Sequence, residues 1–147
     1  MRKEKPNGKE IAEKSKKVKL IEKQAADTEI KGKKVKFTPA EIPPLNSLEE
    51  LEDGQIVGVL ENELEGDETK LPPGKHNIFI AKINGEWQAF AESDGEIKAE
   101  AAKTSFKRHY FGDHKAEKPK FNSEGWCITF CILRFWIFCI GSATICF

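Results

Sequence analysis

The last 22 residues, 126–147, read WCITFCILRFWIFCIGSATICF. Seventeen of them are apolar, and Pro, Asn, Asp and Glu are all missing. Such a stretch has two ways out of water: a lipid bilayer, or the interior of its own protein. As a helix it reaches about 33 Å, close to the ~30 Å of a hydrocarbon core. Arg134 near its middle opposes insertion by roughly 2.5 to 3.5 kcal/mol, while each Ile, Phe and Leu returns about 0.3 to 0.6 kcal/mol. The balance slightly favours a single span. Trp126 would sit at the interface, and Lys115, Lys118 and Lys120 upstream would hold the N-terminal bulk on the cytoplasmic side.

The competing expectation is a long buried strand over 126–140. Its four Ile, three Phe and two Trp suit extended structure, and turn residues at 123–125 and 141–142 bound it. Alternation would put Trp126, Ile128, Phe130, Ile132, Arg134, Trp136 and Phe138 on one side. Cys127, Thr129, Cys131, Leu133, Phe135, Ile137 and Cys139 would take the other, with 143–147 as a short return. The candidate membrane or core segment is therefore marked by Trp126, Cys127, Cys131, Arg134, Trp136 and Cys139.

All four cysteines, Cys127, Cys131, Cys139 and Cys146, lie in this segment. The spacing C-x3-C-x7-C-x6-C matches neither a zinc ribbon nor a CxxC redox motif, so the favoured role is that of small buried hydrophobes. Acylation of Cys127 at a membrane boundary, or a disulfide in an oxidising compartment, are the other readings.

The remaining 125 residues are as polar as the tail is apolar. The chain is neutral overall, with 24 basic and 24 acidic residues, but its charge is ordered. Residues 1–38 carry a net +7, residues 41–70 a net −9, and residues 101–125 a net +3. A basic arm beside an acidic stretch can pair with itself, or it can meet an anionic surface. The arm's one aromatic is Phe37, so bases have no stacking platform and a nucleic-acid partner is disfavoured. No apolar run follows the positive start, which argues against a cleavable secretory signal.

Ile11, Val18, Ile21 and Ala25 put one thin apolar stripe on a helix over 10–26, marginal on its own. Gly32, Pro39, Pro43 and Pro44 mark a linker, and Ser47 with Glu50 has the spacing of a capping box inside 46–53. Residues 55–61 are rich in β-branched side chains, and an acidic loop follows over 61–70. Then come strands over 76–83, 86–92 and 96–102, joined by Asn84-Gly85 and Asp94-Gly95, the strongest short hairpin signals. Ile78 and Ile80 face one way, while Phe79, Ala81 and Ile83 face the other. The first strand of this meander is therefore central and covered on both faces, by residues 55–61, the N-terminal helix or the C-terminal segment.

Catalytic constellations rise nowhere above chance, so no enzyme activity and no cofactor is expected. His109 and His114, with Asp113, have a loose ligand spacing but no nameable fourth ligand, and read as a polar loop. The acidic run Glu61, Glu63, Glu65, Asp67 and Glu68 lacks the Gly and Asx pattern of a calcium loop.

The expected fold class is mainly β, a small antiparallel meander sheet or an α+β arrangement with an N-terminal helix. The organisation expected is a disordered or weakly helical basic arm and linker (1–41), a β domain (42–111), a polar connector (112–125) and the apolar segment (126–147). The expected function is a non-enzymatic β module attached to a membrane by its C-terminal segment and binding a protein partner or anionic lipid. One alternative is a soluble structural or self-assembling β protein, in the cytoplasm, whose last strand completes its core. Another is a leader carrying a Cys, Ser and Thr-containing precursor peptide.

Overall fold

The computed structural model describes residues 7–42, 51–64, 71–110, 114–122, 127–135 and 137–147. The protein is mainly β, with one short helix and two antiparallel sheets. Strands β1 (Ala26–Ile30), β2 (Lys33–Pro39), β3 (Gln55–Asn62), β4 (Gly74–Ile83), β5 (Glu86–Ser93) and β6 (Glu96–Glu100) form a six-stranded sheet in chain order. Strands β7 (Lys103–Arg108), β8 (Lys120–Asn122), β9 (Cys127–Phe135) and β10 (Phe138–Cys146) form a second sheet in the order β7-β10-β9-β8.

The expected meander is β4, β5 and β6. Its corners Asn84-Gly85 and Asp94-Gly95 both have positive φ at both residues, the twist that matches flanking strands. Lys31 and Gly32 do the same between β1 and β2, so the stretch expected to be an arm and linker supplies two strands instead. Lysine tolerates that conformation poorly, which is why the hairpin is weakly written in the sequence.

As its alternation requires, β4 is covered on both faces. On one face Ile56, Phe79, Ala81 and Phe90 pack under α1 (Gly8–Ser15), which drives Ile11 into them. The Asn7 side chain accepts the Lys9 N–H at 2.9 Å and starts this helix. The helix stops at Ser15 and does not continue to residue 26. Residues 19–21 instead pair with 39–41, through Glu41 N–H to Lys19 O at 2.7 Å and Ile21 N–H to Pro39 O at 2.8 Å. Backbone pairing outweighs a helical stripe that buries one side chain per two turns.

On the other face Val35, Phe37, Leu60, Ile78, Ile80, Ala89 and Ala91 meet Ile128, Phe130, Ile132, Leu133, Ala143 and Ile145 of the second sheet. The Phe37 and Phe130 rings touch with centroids 4.8 Å apart. Phe37 lies flat over β3 because Gly58 leaves room; a Cβ there would collide with the ring and with the Thr38 carbonyl. The result is a β-sandwich with a helix on its outer side.

The membrane-helix expectation is thereby corrected. No helix among the described residues is long and apolar enough to cross a membrane. The C-terminal segment is a hairpin, and its greasy side chains are half of the sandwich core. One long strand over 126–140 is corrected too, since the chain reverses between β9 and β10. The polar connector is not merely a spacer: β8 pairs with β9, and Lys115 bridges to Phe138. Trp126, Trp136, Asp113, the capping-box residues Ser47 and Glu50, and Glu65, Asp67 and Glu68 lie outside the described residues.

Candidate functional site

The second sheet has one dry face and one polar face, and the polar face can be read from its register. Ser142 of β10 stands opposite Lys107 of β7 and Cys131 of β9. The next row is Ser105, Thr144, Thr129 and Lys120, and the last is Lys103, Cys146, Cys127 and Asn122. Each row carries a lysine at an outer strand and hydroxyls or sulfurs between, with no carboxylate. Thr129 Oγ1 and Thr144 Oγ1 are hydrogen-bonded at 2.9 Å.

The sulfurs on this face are paired as disulfides, Cys127 with Cys146 and Cys131 with Cys139. The favoured expectation of unpaired buried cysteines is corrected. Pairing requires the hairpin: along one strand Cys127 and Cys131 are too far apart to bond, whereas the return strand brings Cys146 directly opposite Cys127. Arg134 is also moved from its expected side. Ile140 and Ile132 are extra residues in the β9–β10 ladder, so Arg134 stands opposite Cys139 and shares its outward face. Its Nη2 is buried with no hydrogen-bond partner among the described residues, and burial lowers its pKa from the usual guanidinium value.

The chain after β7, residues 109–110 and 114–116, runs on beside β10. It is held to β10 by His109 N–H to Ile140 O at 3.1 Å, Cys139 N–H to His114 O at 2.8 Å and Ala116 N–H to Ile137 O at 2.8 Å. The His109 and His114 rings lie 4.0 Å apart between centroids, and His109 Nε2 shares a hydrogen bond with Ser142 Oγ at 2.9 Å. Burial, then the nearby His114, then Lys107, hold the His109 pKa below the ordinary imidazole value.

Together these elements enclose a cleft of about 270 Å³. Lys107, Lys115, Lys118 and Lys120 edge it, with His109 and His114 at one side and Ser142, Thr129 and the Cys131–Cys139 disulfide in its floor. Its one lining carboxylate among the described residues, Glu117, sits 3.2 Å from Lys120. Among the described residues Tyr110, 83% exposed, and Ile137, 45% exposed, are the large hydrophobics left in solvent, and both are in the segments that border the cleft.

A larger cleft of about 420 Å³ lies across β2, β3 and β4, but there Lys34, Lys36 and Lys75 stand beside Glu61 and Glu63, with Glu61 opposite both Lys36 and Lys75, so most of its charge is offset within the sheet. The Ser142–His109 contact is not a nucleophile with its base. Ser142 sits within β10 between β7 and β9, beside the irregular step at Gly141, and no carboxylate that would orient His109 toward it is seen among the described residues. No group of three or more His, Cys, Asp or Glu suited to a metal occurs among the described residues.

The sequence marked Cys127, Cys131, Arg134 and Cys139 for the greasy character of their segment, yet they belong to the polar face of the sheet. Lys107 and Ser142 were missed. The available signal was the period-two recurrence of Thr129 and Cys131, then Ser142 and Thr144, beside the net +3 of residues 101–125. Comparison of the chain with protein-family models, with curated proteins and with solved structures finds no match.

Proposed function

We propose that the protein is a non-enzymatic β-sandwich module that docks peripherally on an anionic lipid surface, using the basic end of its second sheet. The observation that carries this reading is the convergence of Lys107, Lys115, Lys118 and Lys120 on one cleft bordered by the exposed Tyr110 and Ile137. Lysines at an anionic membrane contribute about 1 kcal/mol each, and an exposed aromatic with an aliphatic neighbour suits the headgroup boundary. Attachment in this reading comes from the surface of the folded sandwich, because the side chains that would have spanned the bilayer fill its core. The two disulfides favour an oxidising compartment over the cytoplasmic side expected from the lysine flank.

Vesicle co-sedimentation of the full chain tests it. Phosphatidylglycerol vesicles should retain the protein and phosphatidylcholine vesicles should not, and Lys115→Ala with Lys118→Ala should lower binding by about thirtyfold at low salt. Equal partition to both vesicle types would refute the reading. A second reading, self-association, is favoured by one feature: β8 covers only Cys127, Ile128 and Thr129, leaving the outer edge of β9 beyond them without a strand partner among the described residues. A monomeric mass by light scattering at high concentration would dismiss it.

A further inference from the structure

The cleft points to a narrower ligand than a negative surface, and we propose that it is a subsite for a phosphomonoester group carried by a lipid headgroup. The inference rests on the membrane-docking reading for the source of the phosphate, not for its chemistry. Four lysines surround the cleft, and Glu117, its one carboxylate among the described residues, is already held by Lys120, so that lining carries a clear positive excess even with both imidazoles neutral. A terminal phosphate brings about 1.5 to 2 negative charges and three free oxygens, whereas a phosphodiester brings one charge and two free oxygens. The monoester is the better match for a ring of separated ammonium groups, which bind phosphate as point charges.

The floor adds directional groups. Ser142 Oγ and Thr129 Oγ1 face outward from adjacent strands, and the His109 and His114 rings close one side. The Cys131–Cys139 disulfide ties β9 to β10 beneath them, so part of the cost of ordering the site has been met by folding. At about 270 Å³ the cleft is smaller than the ~300 to 1,000 Å³ typical of sites for drug-sized ligands, which suits a phosphate and its first carbon. The position of His109 supplies a sensor: burial, His114 and Lys107 disfavour its protonation, and a bound dianion would reverse that preference.

The experiment uses the oxidised full-length chain and four probes: glycerol phosphate and dimethyl phosphate in solution, and vesicles of phosphatidic acid or phosphatidylglycerol matched in surface charge. The expected result is an affinity for phosphatidic acid vesicles about tenfold above phosphatidylglycerol, the worth of one charge-assisted hydrogen bond. Glycerol phosphate, and not dimethyl phosphate, should compete, and should raise the His109 titration followed by NMR. Lys107→Ala and Ser142→Ala should each remove the preference, Glu117→Gln should strengthen binding, and Lys98→Ala, remote from the cleft, should change nothing. Equal binding of the two lipids leaves peripheral docking standing and overturns the phosphomonoester subsite. Binding of glycerol phosphate in the cleft with no vesicle binding supports the subsite and overturns its lipid source. Competition by both soluble probes alike overturns the subsite.

Discussion

The two sheets of this sandwich solve the same problem with different means. The six-stranded sheet is built from neighbours in sequence, three of its five reversals are tight glycine corners, and its β4 strand is apolar on both faces. It is dry beneath α1 and dry against the second sheet. The four-stranded sheet closes with one non-consecutive pairing, β7 beside β10, and is apolar on one face only. Its other face carries hydroxyls, lysines and two disulfides. Burial on both sides leaves no room for recognition, whereas a sheet with one wet face can hold its fold with one side and meet a partner with the other.

If the second sheet is a necessary half of the core, Phe130→Ala should be the most damaging of three changes. It removes the ring that touches Phe37 and should cost about 3 to 5 kcal/mol in denaturant unfolding. A loss below about 1 kcal/mol, the range of an exposed site, would mean that the first sheet stands alone. The staples come next. Cys127→Ser with Cys146→Ser opens a link across 19 positions and should cost about 3 kcal/mol, with the loss confined to oxidising conditions. Equal stability of this variant and the parent without reductant would show that packing and the Cys131–Cys139 link hold the hairpin without this staple.

The smallest expected effect concerns pH. His109 has a folded pKa below its unfolded value near 6.5, so the unfolded chain binds more protons between the two. Its contribution is fully present above about pH 6.5 and is lost as pH falls through the lower folded value. The parent should therefore lose more of its denaturant midpoint than His109→Gln between neutral pH and pH 5. Parallel profiles would break the link between the wet face and its imidazoles.

The same contrast explains what could be read in advance. The meander was legible because Asn84-Gly85 and Asp94-Gly95 act locally, each fixing a reversal from two residues. The Lys31-Gly32 corner uses the same backbone without the favoured side chain, so β1 and β2 were hidden in what looked like an arm. Arg134 was misassigned because alternation counts residues, and the extra Ile132 and Ile140 shift the count without leaving any local mark. The cleft was the least visible part. Ser142 lies 33 positions from His109, with Lys120 between them in the chain, and strand register gathers them.

By itself the sequence determined that the protein is mainly β, that β4 needs cover on both faces, and that residues 126–147 must leave water. These are consequences of side-chain type and short-range geometry, which a local stretch carries within it. Where the C-terminal segment goes was decided by tertiary structure, because lipid and a dry sheet face reward the same apolar composition. Val35, Phe37, Leu60, Ile78 and Ile80 supply that face. Once they do, the hairpin closes, the cysteines meet in pairs, and the polar half of the tail becomes the surface on which the basic cleft is built.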